Sequence, residues 1–194
     1  MWTDGSGTNI GTAQPATVTL SDGSVLVAYW LRTTAVSGAN GVVVKRRDPS
    51  TGVWSSKVTI YSQDSIPTDG FWPALVVLPT GRILCFHFVE DTVALEYQVR
   101  MHYSDDSGAN WTTGAGYVLD SALDISSSPG AGNAGYEARR ISVAYSLGDL
   151  SMAIHVVANN TSLTYRDRLV QLYSTDLGAS FTTVETTADT EALA

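Results

Sequence analysis

Residues 104–111 read SDDSGANW and residues 174–181 read STDLGASF. Both follow the pattern Ser-x-Asp-x-Gly-x-x-aromatic, and the reading of this octapeptide decides the fold. An aspartate at the start of a turn accepts hydrogen bonds from backbone N–H groups two or three residues on, and a glycine two positions later takes a positive φ without steric cost. The closing Trp111 or Phe181 offers ~150–250 Å² of ring and stem to tuck beneath the turn. Ser104, Asp106, Gly108 and Trp111, and again Ser174, Asp176, Gly178 and Phe181, are therefore read as structural corners joining two strands. A looser copy, RRDPSTGVW at 46–54, keeps Asp48, Gly52 and Trp54 with two extra residues between aspartate and glycine.

Working outward, each corner is flanked by strand-like sequence. GVVVKRR (41–47), LEYQVRMHYS (95–104) and LTYRDRLVQLYS (163–174) come before it; WSSKVTIY (54–61), WTTGAGYVL (111–119) and FTTVETT (181–187) come after. Further upstream, PATVTLSDGSVLVAYW (15–30) aligns without a gap on PALVVLPTGRILCFHF (73–88), and RISVAYSLGDLSMAIHV (140–156) puts Gly148 where the others have Gly23 and Gly81. β-branched and aromatic runs around a short glycine turn are the mark of a hairpin. The chain is thus all-β and repeats a unit of four antiparallel strands three times, with no capped helix of ordinary length. The units span about 14–62, 72–120 and 139–188, and a long Gly/Ser/Ala-rich loop occupies 120–138.

This pattern resembles the Asp-box, or BNR repeat, of sialidase-like β-propellers. The resemblance covers nearly the whole chain and implies blades of a propeller: three blades, half of a six-bladed ring. One such sheet cannot cover both of its own faces, so the flat outer faces of the first and third blades are expected to need partners. A second copy placed head to tail, further blades of a longer chain, or a larger assembly would each supply them. The loops opposite the corners form the face on which the family binds sugars. Here those loops are residues 1–14, 32–40, 62–72, 90–94, 120–139 and 158–162.

Composition removes several functional classes. With 44% hydrophobic and 15% charged residues the chain has enough apolar surface to fold. A net charge of −8 and only eleven basic side chains, in no stripe, exclude a phosphate-backbone partner, so no nucleic acid is expected. The longest apolar runs fall far short of a membrane helix, and MWTDGSGTN has no signal-peptide character, so no membrane association is expected and an extracellular or virion setting is inferred. One cysteine, Cys85, allows no intrachain disulfide, and His87, His102 and His155 show no ligand spacing, so neither metal nor cofactor is expected.

Sialidases carry Arg-Ile-Pro at the start of a first strand, and its arginine is one of three that clamp a carboxylate. This chain has Ala13-Gln14-Pro15 and Phe71-Trp72-Pro73, with no arginine in either, and the loop TTAVSGAN after Arg32 lacks the acid/base aspartate. Arg32, Glu90 and Asp91, at the inner ends of second strands, are the remaining catalytic candidates, against a plainer reading as solvated rim charges. Phe71, Trp72, Tyr136, Arg139 and Arg140 are the ligand-binding candidates: Phe71 and Trp72 as a stacking platform for sugar rings or as packing between blades, Arg139 and Arg140 as carboxylate binders or as ion-pair partners. The resemblance and the missing residues together point to a non-catalytic module for recognising a glycan or a cell surface. The alternatives are a sialidase-like glycoside hydrolase completed by missing blades or a second copy, and a structural part of a particle.

Overall fold

The protein is described by a computed structural model that covers residues 15–31, 40–63, 72–91, 96–118, 135–159 and 166–188. These residues form three four-stranded antiparallel sheets. The first orders β1 (Ala16–Thr19), β2 (Val25–Leu31), β3 (Asn40–Arg47) and β4 (Val58–Gln63) side by side. The second does the same with β5 (Ala74–Val77), β6 (Ile83–Asp91), β7 (Glu96–Ser104) and β8 (Thr112–Val118), and the third with β9 (Gly135–Ser146), β10 (Asp149–Asn159), β11 (Arg166–Ser174) and β12 (Thr182–Ala188).

Strand limits depart from the sequence reading in two places. The segment WSSKVTIY is strand only from Val58; Trp54 makes a lone bridge to Arg47, because the two extra corner residues delay the return of the chain. β9 already begins at Gly135, inside the span read as loop, and pairs with β10 from Asn159. Arg139 falls in a bulge there, skipped as the register passes from His155↔Arg140 to Val156↔Ala138.

By contact the chain divides into two compact units, Met1–His87 with His102–Gly114, and Phe88–Met101 with Ala115–Ala194. In the first unit, strand alternation places Leu26, Ala28 and Trp30 of β2 and Val42 and Val44 of β3 on one face. They form one core with Leu75, Ile83 and Cys85 of the second sheet, and Trp111 packs against it. The other face of the first sheet is also buried at Tyr29, Leu31 and Val43, so it is not the open surface the repeat alone suggests. Every residue from Ile83 to Val89 is buried, which explains why β6 reads as an unbroken apolar run. Burial pushes the Cys85 thiol well above its ordinary range.

In the second unit the third sheet is one-sided. Leu150, Met152, Ile154, Val170 and Leu172 are fully buried, whereas Ser151, Ala153, His155 and Tyr173 are half-exposed and Leu169 and Gln171 are exposed. Its turns also hold two leucines in left-handed backbone, Leu147 at φ 52° and Leu177 at φ 58°.

Gly108 and Gly81 share a φ of +87°, but their surroundings differ. A Cβ on Gly108 would stand 2.7 Å from Leu26 Cδ1, inside the core, while one on Gly81 would meet nothing within 4 Å. Gly81→Ala should therefore lower stability by about 1–2 kcal/mol through left-handed strain alone. Gly108→Ala should lose a further ~1–3 kcal/mol through overpacking. Urea unfolding of the two variants side by side checks the difference.

Candidate functional site

The two octapeptides fold into corners with the same hydrogen-bond pattern. Ser104 Oγ accepts the Gly108 N–H at 2.9 Å and donates to Asp106 Oδ1 at 2.8 Å. Asp106 accepts the Asn110 N–H at 2.8 Å on one oxygen and the Asn110 side-chain amide at 2.6 Å on the other. Ser174 and Asp176 repeat this wiring with Gly178 and Ser180, at 2.8 Å from the glycine N–H and 2.9 Å from the serine N–H. The aspartate thus reaches an amide four residues on, further than the sequence suggests, because Ser107 and Leu177 join the following glycines at positive φ and tighten the loop. Trp111 lies half-buried under its corner and donates its indole N–H to Gly108 O at 3.0 Å.

The first corner is built differently. Asp48 accepts from the N–H groups of Ser50 and Thr51 at 2.8 and 2.9 Å, an ordinary Asx turn. Trp54 is left 38% exposed instead of tucked beneath. With Val53, Arg46 and Ser55 it lines a shallow hollow of about 400 Å³. The polar groups of that hollow are already engaged: Arg46 pairs with Asp22 and Ser24, and Asp48 with its own turn. On the second sheet, Arg82 makes a two-pronged ion pair with Asp105 at 2.7 and 2.9 Å and lies over the Tyr103 ring.

These contacts decide the protonation of the corners. The Asn110 backbone and side-chain N–H groups and the Ser104 hydroxyl hold Asp106 at about 2. The Ser180 hydroxyl and N–H do the same for Asp176, and the Ser50 hydroxyl with the Thr51 and Ser50 amides for Asp48, both also about 2. Such carboxylates are fixed acceptors, unsuited to donating a proton near neutrality.

At the opposite end of the sheets the candidates are only partly placed. Arg32 and Phe71 lie outside the described residues. Glu90 and Asp91 are the last two positions of β6, and Tyr136 lies near the start of β9. Arg140 is exposed opposite His155 and makes no ion pair among the described residues. Trp72 stands out. It sits just ahead of β5 with φ 39°, a region poorly suited to a bulky residue before proline. Its Nε1 is enclosed and finds no hydrogen-bond partner among the described residues.

One arrangement was not foreseen from sequence. His87 and His102, 0% and 2% exposed, bring their Nε2 atoms to 2.9 Å with rings stacked 9° from parallel. Their separation of fifteen residues fits no metal motif but spans one hairpin, which was the available signal. Among the described residues no group of three metal-ligating side chains occurs.

No family model and no curated protein matches the sequence. Solved structures do. An α-L-arabinofuranosidase from Fusarium graminearum in complex with an iminosugar inhibitor is 16% identical, with a TM-score of 0.61 over 94% of this chain and 50% of its own. An α-L-arabinanase from Penicillium chrysogenum complexed with arabinobiose is 15% identical, with a TM-score of 0.60 over 94% and 50%. A Trypanosoma rangeli sialidase is 15% identical, with a TM-score of 0.50 over 89% and 27%. The chain has a propeller-type, glycosidase-like fold, and it spans about half the length of the two arabinan-named structures.

The corner aspartates predict an acid limit to stability. Their folded values lie below the ordinary ~3.9 of an unfolded aspartate, so what they contribute is present above about pH 4 and is lost as pH falls towards 2. Thermal melts between about pH 4.5 and about pH 2 should show a falling midpoint in the wild type. Asp106→Asn with Asp176→Asn should start lower near neutrality and fall less steeply.

Proposed function

We propose that the three sheets are successive blades of one partial propeller, three of the six in a sialidase-like ring, and that the corners at 104–111 and 174–181 are Asp-boxes. In this reading the chain belongs to a glycoside hydrolase whose active centre is completed by residues it does not itself contain. One observation carries the reading: about nine-tenths of the chain superposes on glycosidases while accounting for only half of the arabinan-named ones. The half-exposed face of the third sheet, with Leu169, Gln171 and Tyr173 uncovered, supports it as a surface on which another blade packs. A second copy of the chain, related by a two-fold axis, would provide that blade.

Glu90 and Asp91, consecutive in β6 and so facing opposite sides of the sheet, are each a candidate catalytic carboxylate but not a pair; Arg32 is a further catalytic candidate, and Trp72 a candidate glycan contact. Its enclosed indole N–H, with no partner among the described residues, suits a sugar oxygen, and backbone strain of this kind persists where a site requires it. A rival reading, a non-catalytic glycan-binding module, draws on Ala13 and Phe71 standing where a sialidase arginine belongs.

Light scattering should give twice the chain mass, and arabino- or sialo-oligosaccharides should bind the wild type. Trp72→Ala should weaken binding about tenfold, roughly one good hydrogen bond with its stacking. On chromogenic glycosides Glu90→Gln or Arg32→Ala should cost at least ~100-fold in turnover. Binding without turnover would favour the non-catalytic module; a monomer with neither would overturn both readings.

A further inference from the structure

The first corner keeps the aromatic residue of the octapeptide pattern but places it differently. Trp111 is half-buried and donates its indole N–H to Gly108 O, whereas Trp54 is exposed and its indole N–H bonds to no described residue. Val53 beside it is 64% exposed. Together they form an apolar surface that folding does not use. That surface is nevertheless held firmly. On one side of Trp54, Val53 O accepts the Asp48 N–H at 2.9 Å; on the other, the Ser55 N–H donates to Arg46 O at 2.8 Å and Ser55 Oγ accepts the Arg46 N–H at 3.1 Å. With the backbone pinned on both flanks of the ring, little ordering cost is left for a ligand to meet.

The polar surroundings narrow what that ligand is. The hollow of about 400 Å³ falls within the ~300–1,000 Å³ of small-molecule sites. Arg46 on its wall is neutralised by Asp22. Asp48 takes its three turn bonds on Oδ1, which leaves acceptor capacity on Oδ2. Arg47, the bridge partner of Trp54, shares its face of the ladder and makes no ion pair among the described residues. A Cβ on Gly52 would stand 3.0 Å from Arg47 Nη2, so the guanidinium lies across the turn. The carboxylate disfavours an anion and the guanidinium disfavours a cation. A neutral molecule remains, with a flat apolar face and hydroxyls that both donate and accept, which describes a sugar ring. A proline-rich peptide fits less well, because it docks in grooves lined by several aromatic side chains, and among the described residues Trp54 is the only aromatic lining the hollow.

We propose that the first corner is a carbohydrate-binding site for neutral oligosaccharides of pyranose rings with equatorial hydroxyls, stacked on Trp54 and hydrogen-bonded by its indole N–H and by Asp48. Rings of that configuration present a flat C–H face, which an indole covers well. Asp48 is the only carboxylate lining the hollow among the described residues, so the site attaches a glycan without cleaving it. It lies at the corner end of the first sheet, away from the loop end to which Trp72 and the catalytic candidates belong. The two sites therefore stand or fall separately.

The test is a titration of the full chain with cellopentaose, xylopentaose and β-1,4-galactopentaose, followed by NMR at the indole N–H groups. The chain has five tryptophans, and the signal missing from Trp54→Ala identifies Trp54. At least one of the three sugars should move that signal saturably, with a Kd of about 0.1–1 mM. By calorimetry Trp54→Ala should bind that sugar at least about tenfold more weakly, and Trp54→Phe, which keeps a stacking face without the N–H, about threefold more weakly. Both variants should keep the wild-type amide spectrum away from the corner, and the phenylalanine variant carries the comparison if alanine disturbs it. A Trp54 signal unmoved by all three sugars up to about 10 mM, or equal affinity in the wild type and Trp54→Ala, would overturn the site. So would a response to oligoproline alone, which makes the hollow a peptide site, or a smaller mass of Trp54→Ala in light scattering, which makes it a contact between copies.

Discussion

A four-stranded antiparallel sheet with apolar residues on both faces cannot be stable alone, and this constraint governs the chain. Each repeat is too short to wrap its own faces, so burial has to come from whatever lies against it. In the first unit that need is met by a shared core in which Leu26, Trp30 and Val42 interlock with Leu75, Ile83 and Cys85. The third sheet, with five fully buried aliphatic residues on one side and a half-exposed side opposite, shows the same constraint met on one face only.

The corners make this packing reproducible. A serine hydroxyl bound to a glycine N–H, with an aspartate bound four residues on, fixes how strand three turns into strand four and where the next aromatic points. Gly108 brings the corner against Leu26, so the turn is also part of the core contact. Where two extra residues intervene, between Asp48 and Gly52, the hydrogen bonds rearrange into a simpler turn and Trp54 stays partly in solvent. Spacing, more than residue type, decides whether the aromatic is delivered inward.

Much of this was legible in the sequence. The alternation of β2, the continuous apolar run of β6 and the glycines at 23, 81 and 148 marked the hairpins, and the octapeptides marked the corners. What escaped was anything set by register or by distant packing. The bulge at Arg139 and the early start of β9 leave no local trace, because a strand of mixed polar residues obeys its neighbour across the ladder. The meeting of His87 with His102 depends on where a hairpin folds back. Trp72 was legible as an aromatic ahead of a proline, but its left-handed backbone and enclosed N–H were not. Of the catalytic candidates, residue types were available and their mutual geometry was not.

The lone cysteine gains a use from its position. Cys85 is wholly enclosed in the seam beside the stacked imidazoles, and its thiol is held in the unreactive, protonated form. Alkylation can proceed only during moments when the two sheets part. The rate at which a small maleimide is consumed therefore clocks those excursions in the native population, and the chain carries its own chemical stopwatch for them.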